Sequence, residues 1–340
     1  MRIASLVPSL ALGALLAIVP ACGHPDVDLA GEGARRTGAL PPRARTAGEG
    51  GVVQVAAANL QRPAAPQKSE PEAATPVRGR GSRGRGGKKD DYEVDASATA
   101  NAGRIEGTIK LSAKPEVDTV VVDKDVEACG HTSHPSERCV FDPETLGLSN
   151  CVITIEGIEK GKDWPEALRS KDRESTIDQK HCQYIPHIMV TREKTQLVVD
   201  NSDAATHNIH GYFESMLDTK FNFGSGAGVK GQIVAEAYLE KSGKYIVKCD
   251  IHPWMNAYVH AVSHPYFAIT DAKGKFVIEG VPPGEYTVKV WHEGMVETPT
   301  VKDNQITGYD FSPDWEETVT VTVEAGKPAT IELTAPAPGK

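Results

Sequence analysis

The sequence predicts an all-β protein of sandwich type carried behind a disordered N-terminal tether. Three observations predict it. From Gly103 onward, short β-branched runs recur between Gly, Asp, Asn and Pro, the spacing of strands and turns. Only Asp163 to Ser170 hints at a helix. From Gly23 to about Ala100 the chain is rich in Ala, Gly, Pro and Arg and almost without aromatic residues. Such a composition buries too little apolar surface to offset its ordering entropy.

In chain order, residues 1–22 read as a secretory signal: Arg2, the apolar run Ile3 to Val19, then small residues around Ala21. The tether over 23–100 contains the dense basic stretch Arg78 to Lys89. Export removes nucleic acid from reach, so a solvated linker is preferred to a polyanion-binding arm. Residues 1–89 carry 13 Lys and Arg against 6 Asp and Glu, whereas 90–340 carry 24 against 40. An acidic globule on a basic leash is steered towards a partner with a basic surface. Alternation at Ile105, Ile109 and Leu111 marks the first strand. Runs at 117–122, 152–155, 188–190, 197–199, 233–239, 244–249, 258–262, 275–278, 286–290, 319–323 and 330–333 mark the rest.

The six cysteines are Cys22, Cys129, Cys139, Cys151, Cys182 and Cys249. Val19-Pro20-Ala21-Cys22 resembles the lipobox of bacterial lipoproteins, which implies an acylated Cys22 and a membrane tether. With Cys249 assigned to a metal (below), four cysteines remain, which suits two disulfides in an oxidising compartment. Of three possible pairings, spacing favours Cys139 with Cys151 and Cys129 with Cys182.

The segment with most chemistry is Tyr245-Ile-Val-Lys-Cys249-Asp-Ile-His252-Pro-Trp-Met255. Directly after a strand it offers a thiolate, an imidazole and a thioether. Two His and one Cys in a plane with a weak axial Met make a blue-copper site. The missing imidazole is expected from Thr206-His207-Asn208-Ile-His210, at the end of the strand Gln196–Asp200. The expected ligands of one copper ion are therefore His207, Cys249, His252 and Met255.

These motifs resemble the cupredoxins, specifically the amicyanin–plastocyanin group, over about 175–263. Ile188–Asn201 is similar to that family's hairpin, Thr206-His207-Asn208 to its first-ligand motif, and Ala237 to Cys249 to its strand–Gly–Tyr–strand–Cys run. The resemblance implies a Greek-key β-sandwich and makes Asn208 the residue whose hydrogen bonds pin the two ligand-bearing segments. It also implies that Pro253 and Trp254 lie at the surface above His252, where a redox partner docks. Among other histidines, Cys129-Gly-His131-Thr-Ser-His134 carries a second possible metal pattern for zinc or copper. A disulfide cysteine beside loop histidines is the preferred account of it. His187 is expected to face a polar strand edge.

Thr270-Asp271-Ala-Lys-Gly274 and Val281-Pro-Pro283-Gly284 resemble the turns of the carboxypeptidase-regulatory, prealbumin-like Ig-type domain, as Val319 to Leu333 resembles its closing hairpin. Gly103 to Leu111 and Leu148 to Gly157 resemble its opening strands. The expected second sandwich is thus split into 103–172 and 264–336, with the copper domain, 173–263, inserted. The alternative is two sequential sandwiches.

The expected function is single-electron carriage by an exported monomer in the periplasm or cell envelope, without catalysis. A copper chaperone or store, and an envelope scaffold with structural copper, are the alternatives.

Overall fold

The computed structural model describes residues 92–170, 173–234 and 236–339. The signal segment, Cys22 and most of the tether lie outside them. Regular structure begins earlier than the composition suggested. Glu93–Val94 pairs in parallel with Lys160–Gly161. The anchor is Tyr92, whose ring meets Trp164 and Tyr266 edge-on and whose hydroxyl donates to Lys162 O at 2.6 Å. One aromatic ring supplies burial that the Gly/Pro/Arg-rich stretch before it lacks.

The fold is all-β, as the sequence predicts, and its main sheets form two facing pairs. In the first pair, a four-stranded sheet runs Gln232–Val234, Gln196–Asn201, Glu174–Lys180, Gln183–Ile185. Its five-stranded partner runs Thr219–Ser225, His207–Phe213, Gly243–Lys248, Asn256–Val262, Ile188–Arg192. In the second pair, Phe267–Ile269, Val152–Glu156, Gly284–His292 and Trp315–Val323 form one sheet. Lys275–Val281, Gly103–Leu111 and Pro328–Ala335 form the other. The strand Gly103–Leu111 therefore lies between two C-terminal strands, antiparallel to Lys275–Val281 and parallel to Pro328–Ala335.

Alternation explains the layers. In Gln196–Asn201, Leu197, Val199 and Asn201 point inward and are fully buried, while the residues between them are half-exposed. They join Ile177, Tyr184, Ile209, Tyr245 and Val247 in the first core. Ile105, Ile109, Ile153, Ile155, Val288 and Val290 build the second. A small cluster of Val152, Ile188, Tyr258 and Trp291 links the sheet pairs.

Of the two glycine turns singled out in the sequence, the first is built by its own side chain and a left-handed glycine. Gly274 is left-handed (φ 74°), and Asp271 Oδ1 accepts the backbone N–H groups of Lys273 and Lys275 at 2.8 and 2.9 Å. A Cβ at Gly274 would stand 2.2 Å from Ile109 O. Gly284, by contrast, needs no positive φ and simply starts its strand.

The expected Cys139–Cys151 bridge is corrected: both are free and buried. Phe141 bridges Leu148, and Ser149 N–H donates to Val140 O. That register sets Cys139 opposite Asn150, and a one-residue offset turns paired side chains to opposite faces. Burial pushes the Cys139 thiol up to about 11 and the Cys151 thiol up to about 12. The Cys129–Cys182 bridge is formed, with Cα atoms 5.1 Å apart. It fastens the segment Thr119–Pro135, whose ends pair as Thr119–Val121 with Ser133–Pro135, onto the first sheet pair.

Candidate metal centre

His207 opens the strand His207–Phe213, and Cys249 follows the strand Gly243–Lys248 directly. The two strands are antiparallel neighbours, His210 facing Lys248, so residues 42 apart in sequence meet at one sheet end. The turn from Cys249 to Met255 is closed by its own backbone: Cys249 N–H donates to Met255 O at 3.1 Å and Met255 N–H to His252 O at 3.0 Å. These bonds place Cys249 and His252 on the same side, with His252 N–H 3.4 Å from Cys249 Sγ. His207, Cys249, His252 and Met255 are each no more than 2 % exposed. Met255 shares the core cluster of Cys249.

Two imidazole nitrogens face each other here. His207 Nδ1 lies 2.9 Å from His252 Nδ1, and His252 Nδ1 lies 3.9 Å from Cys249 Sγ. The Nε2 atoms point outward to carboxylates. His207 Nε2 is 2.9 Å from Asp203 Oδ2, and His252 Nε2 is 2.9 Å from Asp125 Oδ2. Carboxylate acceptors require N–H donors, which fixes each Nε2 as protonated and leaves the Nδ1 lone pairs for the interior. Nitrogen, nitrogen and sulfur donors thus converge within 4.8 Å of one another, their outer N–H groups held as histidine ligands of metals are held.

The charges agree with this arrangement. Burial pushes the Cys249 thiol up, but hydrogen bonds from His207 and His252 outweigh it and bring it down to about 6. Burial disfavours charge on His207, yet its bond to Asp203 and its contact with Cys249 raise it to about 9. The Asp203 carboxyl is held below its ordinary range: burial opposes this, while His207 and the backbone N–H groups of Cys182 and His181 overcome it.

Asn208 ties the two ligand-bearing segments together. Its Oδ1 accepts Asp250 N–H at 2.7 Å and the Cys249 thiol at 3.3 Å. Its Nδ2 donates to Asp250 Oδ2 and Asn222 Oδ1, both at 2.9 Å. His210 lies outside the donor set, stacked on Tyr212 and bonded to Asp250.

Three expectations need correction. Trp254 is not at the surface: it is 3 % exposed, and its indole N–H donates to Cys182 O at 3.1 Å. Pro253 is half-buried beside it. His252 has no exposed edge either, because the segment carrying Asp125 and Cys129 lies over it. Finally, His187 is buried, bonded to Asn256 O at 3.0 Å and to the Glu293 carboxylate.

Asp203, Asp125 and the nearby bridge were not anticipated. Asp203 stands four residues before His207 in the loop Asn201 to Ala205, a spacing that offered a weak signal. Asp125 lies 127 residues from His252 and offered none.

A model of the carboxypeptidase regulatory-like domain matches residues 250–336. No curated protein matches the chain. Among solved structures, a purple cupredoxin from Nitrosopumilus maritimus is 20% identical, with TM-score 0.23, over 26% of this chain and 99% of that one. A copper(I) form of an amicyanin mutant is 18% identical, with TM-score 0.21, over 32% and 98%. A copper-containing nitrite reductase from Thermus scotoductus is 17% identical, with TM-score 0.23, over 26% of this chain; the chain spans 22% of the reductase's length.

Proposed function

We propose that this chain is an exported type 1 copper protein that passes single electrons between redox partners of the periplasm or cell envelope. One observation carries the reading: two Nδ1 atoms 2.9 Å apart beside a thiolate-prone sulfur, with both Nε2 atoms tied outward to carboxylates. That donor set, with the Met255 thioether as a further soft donor, would suit copper in both its redox states. Bound copper supplies a Cu(II)/Cu(I) couple.

The protein's part is to hold the donors still. Asp203 and Asp125 fix the imidazole planes, Asn208 locks the two segments, and the bridged segment excludes water. A ligand set this buried and fully used leaves no position for a substrate, which favours a carrier over an enzyme. It also favours retained metal over exchange, and so electron transfer over a chaperone or store. Partner recognition moves from Pro253 and Trp254 to the covering segment, where Asp123, Asp125 and Glu127 are exposed. These carboxylates fit a monomer docking on a basic protein surface. A lipid on Cys22 would keep it at the membrane.

The test is to add Cu(II) to the full chain, record the visible spectrum and run voltammetry. An intense blue band with a reversible one-electron wave is expected. A colourless complex overturns the reading, and rapid loss of copper to a chelator favours the chaperone instead.

Metal uptake should also release protons. Between about 6 and about 9, Cys249 is already a thiolate while His207 is still protonated. An ion binding there displaces one proton, so affinity falls about tenfold per pH unit as pH drops across this window. Below about 6 the thiol proton is displaced as well, and the fall steepens. Calorimetry in buffers of different ionisation enthalpy counts these protons.

A further inference from the structure

The histidines of Cys129-Gly-His131-Thr-Ser-His134 do not enter the centre described above. His134 sits in the strand Ser133–Pro135 and His131 in the turn before it. Their rings meet edge to face, 5.3 Å between centroids. A third ring, that of the exposed His181, lies 6.5 Å from His131. The Cys129–Cys182 bridge holds this grouping together. One half-cystine is two residues from His131 and the other is next to His181, their Cα atoms 5.1 Å apart.

The unusual feature is what the rings lack. Nε2 of His131 and Nε2 of His134 are both screened from solvent, and neither has a hydrogen-bond partner. Buried polar atoms are nearly always satisfied, and a pair of exceptions on touching rings calls for a missing partner. His134 also has the protonation state that a ligand needs. Its Nδ1 lies 2.8 Å from Pro135 O and 3.3 Å from the Gln183 side-chain amide; the nearer partner, a carbonyl, can only accept, so the proton is on Nδ1 and the Nε2 lone pair is free. Burial, and behind it the charge of His131, holds His134 below the usual histidine range, opposed by the Pro135 carbonyl. No carboxylate is needed to explain the pair, and no local acceptor serves it.

We propose that His131 and His134 form a second metal site, taking a borderline divalent cation such as zinc(II) or copper(II) through their Nε2 atoms, with the ring of His181 alongside. Neutral imidazole selects such first-row ions over calcium or magnesium. Two protein donors leave coordination positions for water or for a donor from a docking partner. Because both ligands ride on the segment that covers His252, an ion here would stiffen that cover. The proposal does not rest on copper at Cys249, from which it is separated by the disulfide.

The test uses tag-free full chain and zinc(II). The native protein should bind one more zinc ion per chain than the His131→Gln/His134→Gln variant, measured by calorimetry and by metal analysis after dialysis. The Cys249→Ser/His207→Ala chain, left with a single imidazole at the first centre, should keep this ion. With cobalt(II) it should show d–d bands without sulfur-to-metal charge transfer. Circular dichroism of the double variant checks its fold, and the cobalt readout needs no change at the proposed ligands. Equal zinc stoichiometry in native and double-variant chains overturns the proposal. So does zinc or cobalt binding that vanishes entirely in Cys249→Ser/His207→Ala.

Discussion

Cys249→Ser is expected to leave a folded protein that no longer turns blue with Cu(II). The hydroxyl is nearly isosteric and sits where the sulfur sat, 3.3 Å from Asn208 Oδ1, so the surrounding core survives. The covalency of the metal–thiolate bond does not. The two imidazoles and their carboxylates remain, so some binding persists as a weak, nearly colourless nitrogen and oxygen complex. Loss of the thiolate also removes one of the groups that raise His207, and proton release on metal uptake should shrink accordingly. Absorption spectra of the native and variant chains at equal copper loading read the effect. A variant that stays intensely blue would place the chromophore elsewhere.

The second large effect is on stability. Between the two sheet pairs lies a buried ionic cluster in which Arg138 and Glu293 are each 1 % exposed. Arg138 Nη1 pairs with Glu293 Oε2 at 2.8 Å and donates to Asn256 Oδ1 at the same distance. Its Nη2 donates to the Tyr258 hydroxyl at 3.0 Å, and its Nε to Gly294 O at 2.7 Å. Glu293 also receives His187, whose other nitrogen bonds Asn256 O. Asn256 follows Met255 directly and donates to Trp254 O at 3.0 Å, so the cluster reaches the ligand turn.

Glu293→Ala would strand a guanidinium in the interior, and breaking a buried pair in this way costs about 3–5 kcal/mol. For a domain of this size that lowers the thermal midpoint by roughly 6–20 °C. Replacing Arg138 and Glu293 together by apolar residues should recover much of the loss, because no charge is then left unpaired. Calorimetry on the three variants separates these outcomes. The cluster also sets a pH window. Charges on Arg138 and His187 outweigh burial and hold the Glu293 carboxyl below its ordinary range, so its stabilisation is lost as pH falls through that depressed value. His187 is raised by Glu293 against its own burial, so its share disappears as pH rises through its elevated value.

Local patterns told the sequence reader a good deal. Period-2 alternation located most strands, and the turn at Asp271 to Gly274 was legible because its hydrogen bonds are made within four residues. The four proposed ligands were legible for the same reason: three sit on one turn, and His207 opens a strand whose neighbour leads into that turn. What failed was long-range. Cys139 and Cys151 looked paired by spacing, but strand register separates them. Trp254 looked like a docking residue because no local signal announces that the segment around Cys129 folds over it. Asp125 and the Arg138–Glu293 cluster depend on partners more than 100 residues away. Spacing within a motif says which atoms a turn can aim together. It does not say what lies on top.

The central claim is that His207, Cys249 and His252 meet on a single copper ion. X-ray absorption at the copper edge of the fully loaded chain tests it most directly. The account predicts a first coordination shell of two nitrogen scatterers and one short sulfur, with the sulfur lost in Cys249→Ser and one nitrogen lost in His207→Ala. A native shell of nitrogen and oxygen alone would contradict it.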